Sequence, residues 1–497
     1  MKRLTAIRAG GRAALPGMLL AVSLLCLTAA FGFQKDDKPK QPTLGPPPVL
    51  KLAPIQHFTL SNGLGVTMVE KHEVPLVQIE LIVRAGSVTD PSGKSGLASM
   101  SASMMEEGAG SRNALEFADA IDYLGASISA YSTQHSSGVI LHTPLSKLDS
   151  ALALFGDVVL HPQFPASELE RTKKERLTTL AQWHDQPRSI ASVLFAKILY
   201  GDHHPYGIPS MGNEKSLRSM TVEDLRAFHG SYFRPSNGYI VISGDVRSAD
   251  ILPKLERILG HWQGGPVSPP TLPAAEQVQS RQIYLADKPG AAQSEIRIGR
   301  IGAQRLTEDF YPLLVCNTIL GGAFTSRLNQ NLREVHGYSY GASSSFDFRP
   351  TPGPFVAAAA VQTNVTDKAL VEFMKEIKGM LEPVSDDELT RAKNNLALSF
   401  PRDFQSVSDI AGQLAGLQMY GLPDDTFNNY IQKVLAVTKE DVRRVANKYL
   451  DPEKVAIIIV GDRAQIEKGV AETKIAPIKF LTIDEILGPV PKVDGGK

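Results

Sequence analysis

One stretch of the sequence occurs twice and decides the fold class: Thr221-Val222-Glu223-Asp224-Leu225-Arg226 recurs as Thr438-Lys439-Glu440-Asp441-Val442-Arg443. The match continues without gaps to Gly244-Asp245 in the first copy and to Gly461-Asp462 in the second. In each copy, a threonine followed three residues later by an aspartate predicts a capped helix, and a proline turn and a buried strand come next. A period of more than 200 residues indicates two duplicated domains and excludes a solenoid of short repeats.

The sequence around the repeats sets the domain boundaries. Residues 33–54 are rich in Pro, Lys and Asp, which is typical of a mobile tether, and a second Pro-rich stretch at 264–276 is the expected linker. We therefore expect domains at 55–263 and 277–475, followed by a tail at 476–497. Each domain begins with alternating segments and continues with helical ones. This order predicts an α+β fold, in which helices pack on one face of a mainly antiparallel sheet.

A helical segment in the first domain bears on catalysis: Gly96-Leu97-Ala98-Ser99-Met100-Ser101-Ala102-Ser103-Met104-Met105. It resembles the zinc-site helix of the M16 (pitrilysin, insulinase and processing peptidase) family, in which Gly-Leu-Ala precedes His-x-x-Glu-His. In that family the two histidines bind zinc and the glutamate is the general base. The matching residues here are Ser99, Ala102 and Ser103. A serine hydroxyl is a poor zinc ligand and alanine cannot accept a proton, so the resemblance implies a degenerate site.

The family's third zinc ligand also has no counterpart. It is a glutamate in a segment resembling Val-Leu-Glu-Glu-Ile, and the corresponding residues here are Thr178 and Thr179, shortly before Asp185-Gln186-Pro187. Because two separate parts of one site are altered together, we expect no metal and no other cofactor in this chain. The eleven histidines show no His-x-x-x-His or His-Glu-x-x-His spacing, which favours surface or hydrogen-bonded roles for them.

A second family signature is retained in the second domain: Leu320-Gly321-Gly322-Ala323-Phe324-Thr325-Ser326-Arg327-Leu328, followed by Leu332-Arg333-Glu334. It resembles the M16 pattern of a Gly-Gly turn, Ser-Arg-Leu and Leu-Arg-Glu, with an aromatic residue seven positions after the arginine, here Tyr340. The resemblance implies that Arg333 and Tyr340 bind substrate and stabilise an oxyanion across a closed clamshell, with Gly321 and Gly322 beside the substrate.

Each of these residues also has a purely structural interpretation. Taken alone, Arg333 and Glu334 are consistent with a solvated ion pair, Tyr340 with a core or strand aromatic, and the glycine pair with an ordinary helix end. Within the full motif, the functional interpretation of Arg333 and Tyr340 is favoured. In the first domain, the strand-like stretch from Ala126 to Ser132 corresponds to the sheet edge that the family presents to substrate. An extended peptide could add there as a further strand, near Ser129, although an ordinary half-buried strand shows the same alternation.

The N-terminus has the layout of a secretory signal peptide. Four cations between residues 2 and 12 precede an apolar run from Leu15 to Phe33 that contains small residues near its end. We predict a signal peptide at 1–32 and export across the inner membrane to the periplasm, the alternative being a retained membrane anchor. Lys plus Arg and Asp plus Glu both number 52, so neither nucleic acid nor a membrane surface is an expected partner.

The resemblance, taken with the missing ligands, implies a metal-free M16-type subunit. Its expected partner is a zinc-bearing M16 peptidase chain that carries His-x-x-Glu-His, and the expected substrates are extended peptides. The complex would be a metalloendopeptidase, whereas the chain alone would not hydrolyse peptides. The alternative is a structural or peptide-holding protein, similar to the processing-peptidase-like core subunits of respiratory complexes. Retention of both Arg333 and Tyr340 favours the first hypothesis.

Overall fold

The computed structural model describes residue 45 and residues 50–493. The predicted signal peptide and most of the predicted tether fall at residues 1–44 and 46–49, and these predictions lie outside the described residues, as does the C-terminal stretch 494–497. Across the described part of the chain, the model contains no helix with the length and apolar character needed to span a bilayer.

The first half is built on a mixed six-stranded sheet. Its strands, with one short hairpin, are β1 (Gln56–Thr59), β2 (Gly65–Glu70), β3 (Leu76–Val83), the hairpin pair β4 (Gly108–Ala109) and β5 (Arg112–Asn113), β6 (Ser127–Ser132), β7 (Ser137–Pro144) and β8 (Gly238–Gly244). Its helices are α1 (Leu97–Met105), α2 (Ala114–Leu124), α3 (Leu148–Leu160), α4 (Ala166–Trp183), α5 (Pro187–Tyr200), α6 (Glu214–Ser219), α7 (Val222–Tyr232) and α8 (Ser248–Leu259). The sheet order is β1-β2-β8-β3-β7-β6, in which β2 and β8 pair in parallel and the other neighbours antiparallel.

The second half repeats this plan. Its strands are β9 (Gln282–Asp287), β10 (Gln293–Ile301), β11 (Ser339–Phe346), β12 (Pro354–Gln362), β13 (Ala456–Gly461) and β14 (Ile478–Leu481). Its helices are α9 (Phe310–Asn317), α10 (Arg327–Asn329), α11 (Thr366–Gly379), α12 (Asp386–Ser399), α13 (Val407–Tyr420), α14 (Thr426–Ala436), α15 (Lys439–Tyr449), α16 (Arg463–Glu472) and α17 (Ile483–Leu487). The sheet order is β11-β12-β10-β13-β9-β14, with parallel pairing only where β9 meets β13 and β14.

The duplicated stretch forms the same structure in both halves. Thr221 caps α7 by accepting a hydrogen bond from the backbone N–H of Asp224, and Thr438 caps α15 in the same way with Asp441. In both cases the backbone N–H of the threonine donates in return to the aspartate carboxylate, so the pair forms a capping box. Each capping box satisfies two backbone donors at the N-terminus of its helix. The buried strands β8 and β13 follow. The predicted two-domain α+β fold is therefore confirmed.

Each half lends a helix to the sheet of the other. Helix α5 of the first half packs its buried Ile190 and Leu194 on the second sheet, against Ile458 of β13. Helix α13 of the second half packs Leu414 on the first sheet, against Val241 of β8. In each half, the other helices cover one face of the sheet, as predicted. The opposite face is covered by the helix from the other half, which we call the exchanged helix. These buried apolar contacts join the halves into one body.

The described chain ends extend the body beyond its predicted boundaries. Strand β14 pairs in parallel with β9 as the last strand of the second sheet, and α17 buries Ile486 against α5. Residues 478–487 therefore belong to the folded structure, whereas the sequence analysis assigned them to a tail after 475. Leu50 and Leu52, at the end of the predicted tether, lie partly buried against the cluster around α13.

Candidate functional site

Helix α1, which carries the degenerate motif, begins at a tight turn. Gly96 precedes it with φ +88, and a Cβ at this position would lie 2.5 Å from the backbone oxygen of Met211, so glycine is required there. The Asp90 carboxylate accepts hydrogen bonds from the backbone N–H groups of Gly96 (2.7 Å) and Ala98 (2.8 Å). Burial raises the pKa of Asp90 to about 7, although these donors and the charge of Arg176 oppose the rise.

The matched motif residues on α1 face helix α4 through one arginine. Arg176 of α4 donates hydrogen bonds to the Ser99 hydroxyl (2.8 Å), the Ser99 backbone oxygen (2.8 Å) and the Ser103 hydroxyl (2.9 Å). Burial lowers the pKa of Arg176 to about 10, while nearby Asp90 raises it, so the guanidinium stays charged at neutral pH. Ala102, on the same helix, is buried and contributes only a methyl group. The two helices are thus joined by a cation.

The structure places an arginine next to the predicted positions of the missing third ligand. The hydroxyls of Thr178 and Thr179 bond to the carbonyls of Lys174 and Glu175 on their own helix, at 2.9 and 3.1 Å, and Thr178 is exposed. The residue of α4 that meets Ser99 and Ser103 is Arg176, about one helical turn earlier. Thr179 lies three residues after Arg176 and therefore on nearly the same face of α4, so its place in the degenerate site stays a prediction.

These side chains do not provide a zinc site. The only side-chain oxygens that these motif positions offer to a metal are the hydroxyls of Ser99 and Ser103, which already form hydrogen bonds with Arg176 and with backbone carbonyls. Zinc in proteins takes imidazole, thiolate or carboxylate ligands instead. Arg176 would also repel a second cation at this place. Among residues 50–493, no group of three or more His, Cys, Asp or Glu side chains is arranged to hold a metal ion.

The retained signature of the second half forms an irregular helical segment beside a sheet edge. Two π-helical turns, Thr318–Gly322 and Gln330–Val335, flank the short helix α10, and both pack against the edge strand β11. π-Helical turns of this kind occur frequently at functional sites. The register of β11 against β12 shifts between Ser339 and Ala342, which places Tyr340 in a bulge.

Tyr340 is open to solvent and Arg333 is partly exposed on these two elements. Tyr340 is 91% exposed, which excludes the interpretation as a core aromatic. The Arg333 guanidinium lies 3.4 Å from the Glu334 carboxylate, so the expected ion pair is present. The guanidinium carbon of Arg333 also lies 4.6 Å from the centre of the Phe324 ring. Phe324 is itself 62% exposed. A cation and an aromatic ring are therefore in contact on the segment that packs against β11, the strand that carries Tyr340.

Comparison with known proteins identifies the family. Residues 66–206 match the family model described as "Insulinase (Peptidase family M16)", and residues 219–396 match "Peptidase M16 inactive domain". Together the two matches cover more than half of the sequence. The chain belongs to the M16 peptidase family. The match over residues 219–396 is to a non-catalytic type of M16 domain.

Similar proteins extend over most of this M16 chain. An "Uncharacterized zinc protease" of Rickettsia bellii is 25% identical over 406 residues, covering 80% of this chain and 96% of that protein. A peptidase M16 inactive domain from Pseudomonas fluorescens is 28% identical with a TM-score of 0.77, covering 82% of this chain and 98% of that one. A protease from Helicobacter pylori is 20% identical with a TM-score of 0.77. The match covers 83% of this chain and 100% of that one, and it shows the same fold.

The glycine pair of the M16 signature has a structural explanation. Gly321 is buried, and a Cβ there would lie 2.3 Å from the backbone nitrogen of Ser344 in β11. A Cβ on Gly322 would lie 2.6 Å from the Asn317 side chain. Close approach of the π-helical turn to β11 therefore requires glycine at position 321, and contact of either glycine with substrate stays a prediction.

Ser129 lies where the sequence predicted, in a strand at a sheet edge. It is an exposed residue of β6, the outermost strand of the first sheet. The neighbouring N–H of Ala130 donates to the Glu106 carboxylate at 2.6 Å, and burial raises the pKa of Glu106. A peptide that adds to this edge would have to displace Glu106 from the N–H group, so strand addition at Ser129 is less favourable than at an open edge.

The two predicted site regions of this M16 chain lie in different halves. No hydrogen bond or ion pair within residues 50–493 joins Ser99 or Ser103 to Arg333 or Tyr340. The sequence analysis missed Arg176 and Phe324. Arg176 could have been found from helical spacing, because it shares the face of α4 that carries the buried Thr172 and Leu180.

The arginine of the Ser-Arg-Leu motif is structural. Arg327 donates to both carboxylate oxygens of Glu388, at 2.6 and 3.1 Å, and Ser385 donates to the same group through its N–H and hydroxyl. Burial raises the pKa of Glu388, but these bonds outweigh burial and lower the pKa to about 2. The pair ties α10 to the N-terminus of α12.

We expect Glu388→Gln to lower the stability of the second half at neutral pH by about 1.5–3 kcal/mol, since it removes charge-assisted hydrogen bonds. The pKa of the glutamate is depressed in the folded state, so its contribution is present above about pH 4.3, the unfolded value, and falls as pH drops toward 2. Melting temperatures of wild type and variant should therefore converge between pH 7 and pH 3. Glu382→Gln, at an exposed position before the same helix, should differ little from wild type at either pH. A constant difference at both pH values would contradict the assigned pKa.

Proposed function

We propose that this chain is a metal-free M16 subunit that supplies Arg333 and Tyr340 to the active site of a zinc-bearing M16 partner. The observation that carries the proposal is the 91% exposure of Tyr340 on a bulged edge strand. An exposed tyrosine and a partly exposed arginine on adjoining elements contribute little to folding, because neither is buried in a core. Both suit recognition of a peptide or a partner surface.

The chemistry of the pair fits stabilisation of negative charge. A guanidinium and a phenol are hydrogen-bond donors, and such donors stabilise the oxyanion that forms when water attacks a peptide carbonyl. The partner's zinc would supply the activated water. The Phe324 ring restricts the Arg333 side chain, and Glu334 leaves at least part of its donor fork free for a substrate carbonyl. In this proposal the chain itself performs no proton transfer.

The proposal takes the partner, the substrate class and the location from the sequence analysis. The partner is an M16 chain with an intact His-x-x-Glu-His motif, the substrates are extended peptides, and the compartment is the periplasm. The degenerate site supports an arrangement in which the partner supplies the zinc and the general base, because Ser99, Ala102 and Ser103 of this chain provide neither a metal ligand nor a base.

We expect the purified chain alone to cleave no peptide, and a mixture with such a partner from the same genome to cleave peptides faster than the partner alone. A quenched fluorogenic peptide library measures both rates. Size-exclusion chromatography of the mixture shows whether the two chains associate. The control is the same mixture in which the partner's motif glutamate is replaced by glutamine, which should be inactive.

A complex that forms without any gain in cleavage would favour the alternative of a structural or peptide-holding protein. Cleavage by this chain alone, abolished by a chelator and restored by zinc, would contradict the proposal directly.

A further inference from the structure

Arg176 joins two helices at the place where the family motif would put a metal. Its guanidinium makes three hydrogen bonds to α1, at 2.8, 2.8 and 2.9 Å, two of them to the side chains of Ser99 and Ser103. These two serines stand at the positions that correspond to the two histidine ligands. A metal ion at that place would also join α1 to the helix that carries the third ligand.

The surroundings of Arg176 are those of a fixed cation. The side chain is half-buried, and the nearby half-buried Asp90 at the start of α1 favours the charged form of the guanidinium. Asp90 is held by two backbone N–H groups, so it cannot follow Arg176 if the arginine moves outward. On the same face of α4, Thr172 contacts Met104 of α1 through its hydroxyl, which continues the packing of the two helices.

We propose that the Arg176 guanidinium takes the place of the zinc ion in this chain, as a covalently attached cation that links α1 to α4 and excludes divalent metals. Two consequences follow from the geometry. The first half needs no metal to hold these helices together. The residue to exchange for a third ligand is Arg176 itself, and a carboxylate at Thr178 or Thr179 would share the site with a guanidinium.

Zinc affinity of two triple variants tests the exclusion of metal. Ser99→His with Ser103→His and Arg176→Glu removes the cation and places a carboxylate on the facing side of α4. Ser99→His with Ser103→His and Thr179→Glu adds the same three ligand types and keeps Arg176. We expect the first variant to bind zinc at least about 10²-fold more tightly, because a guanidinium within a few ångströms repels a divalent ion strongly.

Affinity is measured by competition with a zinc-chelating dye on the full chains, after circular dichroism has shown that both variants are folded. Equal affinity, or tighter binding by the variant that keeps Arg176, would overturn the proposal.

The stability of single variants tests the link between the helices and does not depend on the triple variants folding. We expect Arg176→Met to lower the melting temperature clearly below that of the wild type, since Ser99 and Ser103 lose their partner. The matched control is Lys174→Met, an exposed position on the same helix, which should melt close to the wild type. The wild type should melt at the same temperature with zinc or with a chelator. An Arg176→Met chain as stable as the control, or a wild type stabilised by zinc, would contradict the proposal.

Discussion

Replacing Arg333 by alanine, or Tyr340 by phenylalanine, is expected to reduce peptide cleavage by the reconstituted two-chain complex by roughly 10²–10³-fold, the usual scale for loss of one oxyanion donor. Tyr340 is exposed in the edge strand β11 and Arg333 is only partly buried, so neither belongs to the core and their removal leaves the core intact. The loss should appear mainly in kcat, because a donor to the oxyanion strengthens its bond as charge develops in the transition state.

The measurement is steady-state cleavage of a fluorogenic peptide, with complex formation followed separately by size-exclusion chromatography. Tyr123→Phe, which removes a hydroxyl from another exposed tyrosine, is the matched control and should leave cleavage unchanged. A complex that cleaves equally well with the doubly substituted chain would refute the catalytic role of the pair. Loss of association, with no change in activity per complex formed, would assign the pair to the partner interface instead.

The second large effect concerns the exchanged helix α13. Leu414 is fully buried between α13 and the first sheet. We expect Leu414→Ala to cost roughly 2–5 kcal/mol, the range for large-to-small changes in a core. Leu414→Asp should cost more, because it buries a carboxylate without a partner, and the chain should then fail to fold or should aggregate.

Urea unfolding followed by circular dichroism measures these changes. The matched control is Gly412→Asp on the same helix, where an added Cβ meets nothing within 4 Å and the residue is exposed. This control should be neutral or slightly stabilising, because glycine is a poor helix former. If Leu414→Asp unfolded no more easily than Gly412→Asp, the contact between α13 and the first sheet would not contribute to stability.

Local patterns predicted the repeated elements well and the contacts between helices poorly. The capping boxes at Thr221 and Thr438 could be predicted because capping depends on residues three positions apart in the chain. The exchange of α5 and α13 could not be predicted from the sequence, because an apolar helix face does not determine which sheet the helix packs on. The extra strand β14 was missed because four residues carry too little alternation to distinguish a strand from a tail.

The site shows the same limit at the level of single residues. The absence of His and Glu at Ser99, Ala102 and Ser103 was evident from the motif, because the ligand spacing is local. Helical spacing places Arg176 on the packed face of α4, but its contact with Ser99 and Ser103 depends on the rotation of α4 relative to α1, which the packed structure fixes. Phe324 was quoted within the motif, but its contact with Arg333 depends on the π-helical turn between them.

The helix exchange also constrains the order in which the chain can fold. The outer face of the first sheet, with Val69, Ile82 and Val241, is covered by α13, which comes more than 150 residues after β8 in the chain. During synthesis, the first half therefore exposes an apolar sheet face until residue 420 has been added. Contacts of such long sequence separation form late and leave apolar surface open to aggregation. The first half therefore covers both faces of its sheet only after α13 of the second half has been synthesised.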